Sequence, residues 1–502
     1  MTPRAVASGH PAVTDAACEV LGRGGNAFDA VVAAGYASAV AEPALTSLGG
    51  GGFLLARLRD GHALVFDFFV DTPGRGRPPA AAPPASMPVT VRFPGSAQEF
   101  HAGLGSVAVP GALAGYLHVQ RRLGRLPLAA VVAPAVRLAR AGVRVNAHQG
   151  YFLHLLRPIM TSTAAGRALY APGGRYLREG DVLRNAALAD LLAGLPRTGA
   201  TVLYGGDAAG AIARDMRAAG AALGEEDLRA YGVVERAPLR VAYRGAEILL
   251  NPLPARGGAL LGLAFHLLAA RDVAAMGRGS AGHLRALVAV MREVEDRRAD
   301  DPGGHAALDA EALATSVARV RVAAGGTTHV SVADGEGNVA GMTTSNGECS
   351  GYLAPGTGIM LNNMMGEDDL HPAGFHADPA GQRVASMMCP LIVLAGGRVR
   401  LVAGSGGSKR IRTALLQVAS AVLDFGASVG DAVEAPRLHW DGAVLQVEPG
   451  VAEAALAGLG PEVPRNVWPV RDVYFGGVQA VAPAEGAAAA DPRRGGAARV
   501  LG

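Results

Sequence analysis

Two glycines ending at Gly326 run straight into a stretch of alternating side chains, and this arrangement constrains the fold more than any other. Residues 327–334 form a run in which the type of side chain alternates with a period of two. A Gly-Glu-Gly-Asn segment follows at 335–338, and residues 339–344 form a second run of the same kind. Two short period-two runs around a glycine-containing turn are typical of a β-hairpin. The pattern therefore predicts a hairpin whose first strand begins at Thr327.

A threonine at the head of a strand gains new chemistry if the peptide bond before it is broken. Its α-amine, with a pKa of about 7.7–8.0 in model peptides, can then accept the proton of its own hydroxyl. In the uncut chain the Thr327 hydroxyl would attack the carbonyl of Gly326, and water would complete the cleavage. Glycine tolerates the strained backbone that such an acyl shift requires. Taken alone, these residues are most often a turn that leads into an ordinary strand.

Blocks of sequence spread over nearly the whole chain favour the first interpretation. They lie at residues 6–11, 24–30, 42–43, 48–53, 110–115, 243–245, 252–258, 361–363, 404–408, 435–437 and 491–494. In content and order they resemble the sequence blocks of the γ-glutamyltranspeptidase family of N-terminal-nucleophile (Ntn) hydrolases. One glycine-rich block would be weak evidence, whereas so many in the same order make chance a poor explanation.

The resemblance implies an α+β fold, the four-layer αββα sandwich in which two stacked antiparallel sheets are flanked by helices. It implies one globular unit made of two cleavage products, a large part at 1–326 and a small part at 327–502 that carries the nucleophile. Thr327 would take up an acyl group as an ester and pass it to water or an amine, without a metal or a cofactor. The implied partners are a small amide or acyl substrate, and the two fragments as a heterodimer or a dimer of heterodimers.

The resemblance also assigns residues around the nucleophile. Ser345 matches a hydroxyl that contacts the nucleophilic threonine, and Asn346, or Gly347 after a short gap, matches a substrate-binding asparagine. The backbone amides of Gly407 and Ser408 match the oxyanion hole, which stabilises negative charge in the transition state. The competing interpretation of this last segment is a phosphate-binding loop, but the Gly-x4-Gly-Lys-Ser/Thr spacing is missing.

Substrate choice is where the sequence departs from the family pattern. Phe69 stands in place of an arginine that holds the α-carboxylate of a γ-glutamyl group, and a phenyl ring cannot supply the paired hydrogen bonds of a guanidinium. Met364 stands in place of a glutamine, and Ser386-Met387 in place of two serines. The carboxylate that binds the substrate amine is retained as Glu367, with the adjoining Asp368 and Asp369 as the alternative registers. Three polar-to-apolar changes predict an altered substrate. The alternative is that these are plain core residues.

Three functions stay open at this point. The first is a γ-glutamyltransferase or glutathione hydrolase-like enzyme with altered specificity. The second is a homologue from antibiotic biosynthesis that cleaves a C–C bond in 4-alkylproline precursors, or one that removes the side chain of a β-lactam. The third is an uncleaved relative that only binds a ligand, which the intact Thr327 and its hydroxyl partner argue against.

Charge and hydropathy exclude other classes of protein. The chain has a net charge of +3 and no basic run with interleaved aromatic residues, so nucleic acid is not an expected partner. The apolar stretch 27–41 is too short to span a membrane and predicts a buried helix. Because no apolar leader precedes the first block, the expected location is the cytoplasm. Cys18, Cys349 and Cys389 lack paired spacing, which predicts small buried or half-buried apolar side chains rather than disulfides or a zinc site.

Local patterns predict the remaining elements from hydrophobic periodicity, caps and breaker residues. They are a helix from 14 to 23, a hairpin at 53–58 and 62–70, a surface loop at 71–105, mainly helices over 111–300, and one helix at 411–425 among the strands beyond 327.

Overall fold

The structure is a computed structural model. It describes residues 3–77, 84, 86–93, 96–300, 326–371 and 374–502. For residues 92, 93, 96–98, 299 and 300 the description covers the backbone alone. Gly325, the first of the two glycines before the predicted strand, lies outside the described residues.

The helices of the described part lie mainly in the first 300 residues. They are α1 Pro11–Gly22, α2 Ala27–Ala41, α3 Ala112–Leu123, α4 Leu128–Ala141, α5 Ala147–Leu155, α6 Arg157–Met160, α7 Ala164–Tyr170, α8 Ala186–Thr198, α9 Thr201–Tyr204, α10 Asp207–Ala218, α11 Glu225–Ala230, α12 Arg256–Ala269, α13 Val273–Met276, α14 Ala281–Asp300, α15 Arg410–Phe425, α16 Val429–Glu434 and α17 Glu453–Ala457.

The strands come from both halves of the sequence. They are β1 Arg4–Ser8, β2 Gly51–Arg57, β3 Ala63–Phe68, β4 Met87–Phe93, β5 Ser96–Ala102, β6 Val143–Arg144, β7 Val182–Leu183, β8 Val234–Arg236, β9 Leu239–Tyr243, β10 Ala246–Leu250, β11 Thr327–Ala333, β12 Val339–Ser345, β13 Leu391–Ala395, β14 Arg398–Gly406, β15 Leu438–Trp440, β16 Leu445–Val447, β17 Arg465–Val467, β18 Gly477–Ala482, β19 Ala487–Ala490 and β20 Ala497–Leu501.

Two large antiparallel sheets form the centre of the molecule. The first has the strand order β20-β1-β11-β12-β2-β3-β8, and the second has the order β19-β18-β14-β13-β10-β9. Strands β11 and β12 pack against β14, so the two sheets lie face to face. Helix α2 covers the outer face of the first sheet, and α12 and α15 cover that of the second. This is the four-layer αββα arrangement, and the predicted fold class is confirmed.

The helix predicted at 27–41 is confirmed as α2, and all of its side chains are buried. Asn26 caps its start, because the side chain accepts from the N–H groups of Phe28 and Asp29 while the Asp29 carboxylate accepts from the N–H of Asn26. Burial on every side identifies α2 as a core helix of the outer layer. None of the described helices combines the length and the apolar character that crossing a membrane would require.

Other local predictions were partly wrong. Helix α1 begins at Pro11, earlier than predicted, because the side chain of His10 caps it. The segment predicted as a surface loop contains the β4–β5 hairpin, in which Val89 and Val91 are buried. Frequent prolines and glycines hid that short alternating pattern. The mainly helical region also contains β8 to β10, and the two short helices α16 and α17 join α15 in the last third.

The hairpin that opens at Thr327 is confirmed as β11 and β12, and it occupies the middle of the first sheet. Thr327 pairs with Ser345 across the hairpin, and Ser345 pairs with Gly51 on the neighbouring strand β2. The end of β14 at Gly406 lies so close that a Cβ atom there would be 2.1 Å from the Thr327 carbonyl oxygen. The ends of several strands therefore converge on residue 327.

Candidate active site

The peptide bond between residues 326 and 327 is buried and held from several directions. The Ser345 hydroxyl donates a short hydrogen bond to the carbonyl oxygen of Gly326 and accepts one from the Gly347 N–H at 2.9 Å. The N–H of Gly326 donates to Glu348 Oε1 at 3.1 Å. On the other side of the bond, Arg494 Nη1 donates to the carbonyl oxygen of Thr327 at 3.0 Å. These contacts fix the bond and polarise the carbonyl that a nucleophile would attack.

Only glycine fits at position 326 in this arrangement. A Cβ atom there would lie 2.4 Å from the carbonyl oxygen of Gly347 and 2.8 Å from that of Ala44. Both neighbours are backbone atoms, which cannot swing aside as the end of a flexible side chain can. The glycine before the strand is thus required by close packing.

A narrow cleft opens beside Thr327, and we call it the acyl cleft. Its walls are Phe69, Thr327, Ser345, Met364, Glu367, Leu370, Ser386, Met387, Met388, Ser408 and Ile411. Eight of these are residues that the sequence predicted for the site, and they come from segments far apart along the chain. The predicted residues Asn346 and Gly407 lie outside its walls.

The turn after β14 carries two adjacent residues with positive φ, Gly407 at 118° and Ser408 at 50°. The second is a left-handed conformation that a side chain makes costly, so it needs external support. The Ser408 hydroxyl supplies that support by donating to Asp369 Oδ2 at 2.7 Å, while Lys409 Nζ pairs with Asp369 Oδ1 at 3.0 Å. Within the described part of the chain, the N–H groups of Gly407 and Ser408 have no acceptor. They are two free donors beside the acyl cleft.

One side of the acyl cleft is apolar. Phe69 is fully buried and its ring stacks on that of Phe53, with 5.5 Å between centroids. Met364 and Met387 are also buried and belong to the same hydrophobic core. The hydroxyl oxygen of Ser386 accepts from the N–H of Met388 at 3.1 Å. The three apolar residues are therefore both core residues and cleft walls, so the two interpretations of the sequence are compatible.

One acidic side chain, Glu367, lines the acyl cleft, and Glu348 and Asp369 lie near it. Burial raises the pKa of Glu367 to about 8, and the charge of Asp369 contributes to the rise. Burial and then the charge of Glu367 raise the pKa of Glu348 as well. Among the described residues, Glu367 Oε1 and Glu348 Oε2 have no hydrogen-bond partner. A buried carboxylate oxygen without a hydrogen-bond partner is unfavourable, so an ammonium group brought by a ligand would be stabilised beside Glu367.

Asn346 points away from the cleft. Its Nδ2 lies 3.3 Å from Cys349 Sγ and 3.3 Å from the carbonyl oxygen of Leu361. Gly347, the alternative position for a substrate-binding amide, has no side chain and a φ of 61°, and a Cβ atom there would lie 2.3 Å from Glu367 Oε1. A substrate-binding amide is therefore not among the walls of the acyl cleft.

Several buried residues around the site were missed by sequence reasoning. Asp369 supports Ser408, Arg494 holds the Thr327 carbonyl, and Glu348 holds the Gly326 amide. Glu42 accepts from the Thr328 hydroxyl at 3.1 Å, and burial raises its pKa to about 7. The sequence blocks at 42–43 and 491–494 contained two of these residues, so position in a block was the available signal.

The chain is similar to known proteins over most of its length. The Gamma-glutamyltranspeptidase family model matches residues 13–321 and 305–501. The chain is 33% identical to the Acylase ACY 1 proenzyme of Pseudomonas sp. (strain SE83), over 92% of this chain and 87% of that protein. It is 32% identical to the Glutathione hydrolase proenzyme of Escherichia coli (strain K12), over 90% of this chain and 83% of that protein.

A solved structure, the cephalosporin acylase from Bacillus halodurans, superposes with a TM-score of 0.85. The alignment covers 99% of this chain and 96% of the acylase chain, at 24% sequence identity. At that identity the likeness supports the fold, and the residues of the acyl cleft must carry any argument about substrate.

Proposed function

Because the chain belongs to the gamma-glutamyltranspeptidase family of hydrolases, we propose that it cleaves itself before Thr327 and then transfers acyl groups through a Thr327 ester. The observation that carries this proposal is the held junction. The Gly326 carbonyl is polarised by Ser345, and the Thr327 side chain lines a cleft next to two free backbone donors.

In the first step the Thr327 hydroxyl oxygen attacks the Gly326 carbonyl carbon. The C–N bond of the peptide breaks, an ester forms at Thr327, and the former peptide nitrogen takes a proton to become an α-amine. Water then hydrolyses the ester, leaving a carboxylate at Gly326 and a free hydroxyl at Thr327. Ser345 is placed to stabilise the negative charge on the carbonyl oxygen, since its hydroxyl already donates to that atom.

In the second reaction the new α-amine accepts the hydroxyl proton while the Thr327 oxygen attacks the carbonyl of a substrate amide. The free N–H groups of Gly407 and Ser408 are the proposed oxyanion hole, and one such donor is worth roughly 2.7–4 kcal/mol. Asp369 is a positioning residue, because it holds the Ser408 hydroxyl and with it the turn. Water or an amine then releases the acyl group.

We assign the acyl cleft to an amide substrate whose acyl group is mainly apolar. Phe69, Met364 and Met387 offer contact surface and no hydrogen bond to a carboxylate, and one of the relatives above is named an acylase. The second candidate is a γ-glutamyl substrate, which the buried carboxyl of Glu367 favours because it could hold the α-amine. Turnover of a chromogenic γ-glutamyl anilide against apolar acyl anilides distinguishes the two candidates, and the C–C bond-cleaving alternative gives self-cleavage with neither activity.

Denaturing electrophoresis tests the first step. The wild-type protein should give fragments of 326 and 176 of the 502 residues. Thr327→Ala should stay whole, and Thr327→Ser, which keeps a hydroxyl, should be cut. Amino-terminal sequencing of the small fragment should begin at Thr327. A wild-type chain that stays intact while it turns over substrate would refute the proposal.

A further inference from the structure

A separate cavity of about 420 Å³ lies between helices α14 and α15, and we call it the helix cavity. The first turns of α14 supply Leu284 and Leu287, and α15 supplies Ala421. The loops at 435–438 and 450–452 form further walls. Sites that bind small molecules usually have volumes of about 300–1,000 Å³. The helix cavity is therefore large enough to hold a small ligand.

The helix cavity is distinct from the active site. None of its fifteen lining residues is a wall of the acyl cleft. Helix α15 begins at Arg410, shortly after the turn at Ser408. Gln417 and Ala421, its two residues in the cavity walls, lie about 10 and 16 Å further along the helix axis, at about 1.5 Å per residue. A ligand in the helix cavity would thus contact none of the walls that hold the proposed substrate.

Most of the cavity wall is apolar. Leu284, Leu287 and Ala421 are buried, and Pro436 and Val451 are half-buried. A hydrocarbon group brought by a ligand would cover this surface and be removed from water, which is favourable. The walls therefore favour a ligand whose body is an apolar chain or ring.

The polar groups at the rim are donors. None of the fifteen described lining residues is an aspartate or a glutamate. Arg278 is exposed at the rim and donates to the backbone carbonyl oxygen of Asp431 at 3.1 Å, with no salt bridge among the described residues. In the same part of the chain, the N–H groups of Val451 and Ala452 have no acceptor. A cation and unused donors favour an anionic ligand group.

His283 adds a buried donor to the wall. The N–H of Gly279 donates to His283 Nδ1 at 3.1 Å, so Nδ1 is the acceptor and the ring proton lies on Nε2. Burial lowers the pKa of His283, which favours this neutral form. The residue is 8% exposed, and Nε2 has no hydrogen-bond partner within the described ranges. Because an unpaired N–H carries partial positive charge, this wall is polarised in favour of an anion.

Three carboxylates near the cavity are engaged elsewhere. Asp424 acts electrostatically on that histidine and is paired with Arg244 at 3.1 Å. Asp431 accepts from a serine hydroxyl at 2.7 Å. Asp491 is paired at 2.6 Å with Arg437, a buried wall residue whose charge is thereby compensated. Among the described wall residues, the arginine at the rim is then the cation left for a ligand.

We propose that the helix cavity is a binding site, separate from the active site, for a carboxylic acid with an apolar chain or ring. The carboxylate would pair with Arg278 and accept from the N–H groups of Val451 and Ala452. The apolar body would lie against the leucines of α14. The inference does not require the bond before Thr327 to be cut, so it stands or fails independently of the proposed function.

Calorimetry with three probes tests the ligand class, on wild type and on the uncut Thr327→Ala protein. Octanoate has the charge and the chain, octanamide lacks the charge, and acetate lacks the chain. We expect octanoate to bind about tenfold or more tightly than either of the others, with the same affinity for both proteins. Equally tight binding of octanamide would overturn the anion assignment. No binding of octanoate, or binding to the cut protein alone, would overturn the site.

A pair of arginine variants tests where the carboxylate lies. Arg278→Gln should weaken octanoate binding by about three- to fivefold, the size expected for an exposed ion pair, and leave octanamide binding unchanged. Arg144→Gln is the matched control, because Arg144 is also exposed and donates to a backbone carbonyl oxygen, that of Gly180, at 2.8 Å. The control should bind octanoate as wild type does. Equal affinities of the two variants for octanoate would refute the pairing with Arg278.

A pair of valine variants tests where the chain lies. Val451→Trp fills the cavity from a half-buried loop position and should weaken octanoate binding about tenfold or more. Val202→Trp replaces a half-buried valine on helix α9 and should change nothing. Circular dichroism shows whether each variant folds, and the arginine pair decides the question if Val451→Trp does not. Wild-type affinity in a folded Val451→Trp would mean that the ligand lies elsewhere, and the inference would fail.

Discussion

Replacing Gly326 with alanine tests how tightly the junction is held. The added Cβ would lie 2.4 Å from the Gly347 carbonyl oxygen and 2.8 Å from the Ala44 carbonyl oxygen. Ordinary contacts of this kind are about 3.5 Å or longer, so residue 326 must move by roughly 1 Å. Both neighbours belong to the backbone, and the two clashes leave residue 326 to absorb most of the shift.

A shift of that size would disrupt the two hydrogen bonds that define the reacting geometry, from Ser345 to the Gly326 carbonyl and from the Gly326 N–H to Glu348. Losing one donor to a developing oxyanion costs about 10²–10³ in rate, and a misplacement of 1 Å costs about 10²-fold. Self-cleavage of Gly326→Ala should therefore slow by roughly 10²–10³-fold, the range that the two effects share.

The rate is read from the disappearance of the full-length band on denaturing gels at fixed temperature and pH. Gly194→Ala is the matched control, because a Cβ at that position on helix α8 meets no atom within 4 Å. The control should be cut as fast as wild type. Circular dichroism should show that both variants fold. If a folded Gly326→Ala is cut at the rate of Gly194→Ala, the close packing of residue 326 does not govern cleavage and the reasoning is wrong.

Three further substitutions probe the acyl cleft and its surroundings. Asp369→Asn removes the charge that holds the Ser408 turn, so kcat should fall by about tenfold or more with little change in KM; a change confined to KM would contradict a positioning role. Phe69→Arg should raise turnover of a γ-glutamyl anilide above wild type and above Phe69→Lys, since only a guanidinium offers paired hydrogen bonds, and no rise at all would refute the carboxylate-pocket assignment. Burial raises the pKa of Glu42 from 4.5 to about 7. Between these two pH values the folded protein keeps a proton that the unfolded chain has lost. The free energy of unfolding therefore falls as pH rises, by up to about 3 kcal/mol. Glu42→Gln should therefore resist denaturant better than wild type at pH 8 and lose this advantage near pH 4.5, and an equal difference at both pH values would show that Glu42 titrates normally.

Local signals in the sequence were sufficient for some of this site. The hairpin could be predicted because period-two alternation and a short glycine turn are properties of neighbouring residues. The fold class and the walls of the acyl cleft followed from a resemblance spread over many blocks, since no local pattern links Phe69 to Met387. The residues that form these walls meet in one cleft because the two sheets pack together, and the resemblance of the sequence blocks to the family implied that packing.

What the sequence could not reveal were the residues that act across long separations. Asp369 supports Ser408 from 39 residues away, and Arg494 holds the Thr327 carbonyl across 167 residues. An aspartate that follows another aspartate, or an arginine near the end of the chain, carries no local mark of such a contact. The β4–β5 hairpin was hidden for another reason, because its flanking prolines are typical of loops.

The position of β11 makes a final prediction about the processed protein. Strand β11 is hydrogen-bonded to β1 on one side and to β12 on the other, and β12 pairs over seven residues with β2. Residues 327–502 therefore supply β11, β12 and the edge strand β20 to a sheet whose other four strands, β1, β2, β3 and β8, come from residues 1–326. Separating the fragments would break these ladders and expose the core between the sheets, which costs far more than one cut peptide bond releases. The fragments should co-elute in native gel filtration at wild-type size and separate only in denaturant. Elution of a folded large fragment on its own would mean that the central strands do not hold the sheet together.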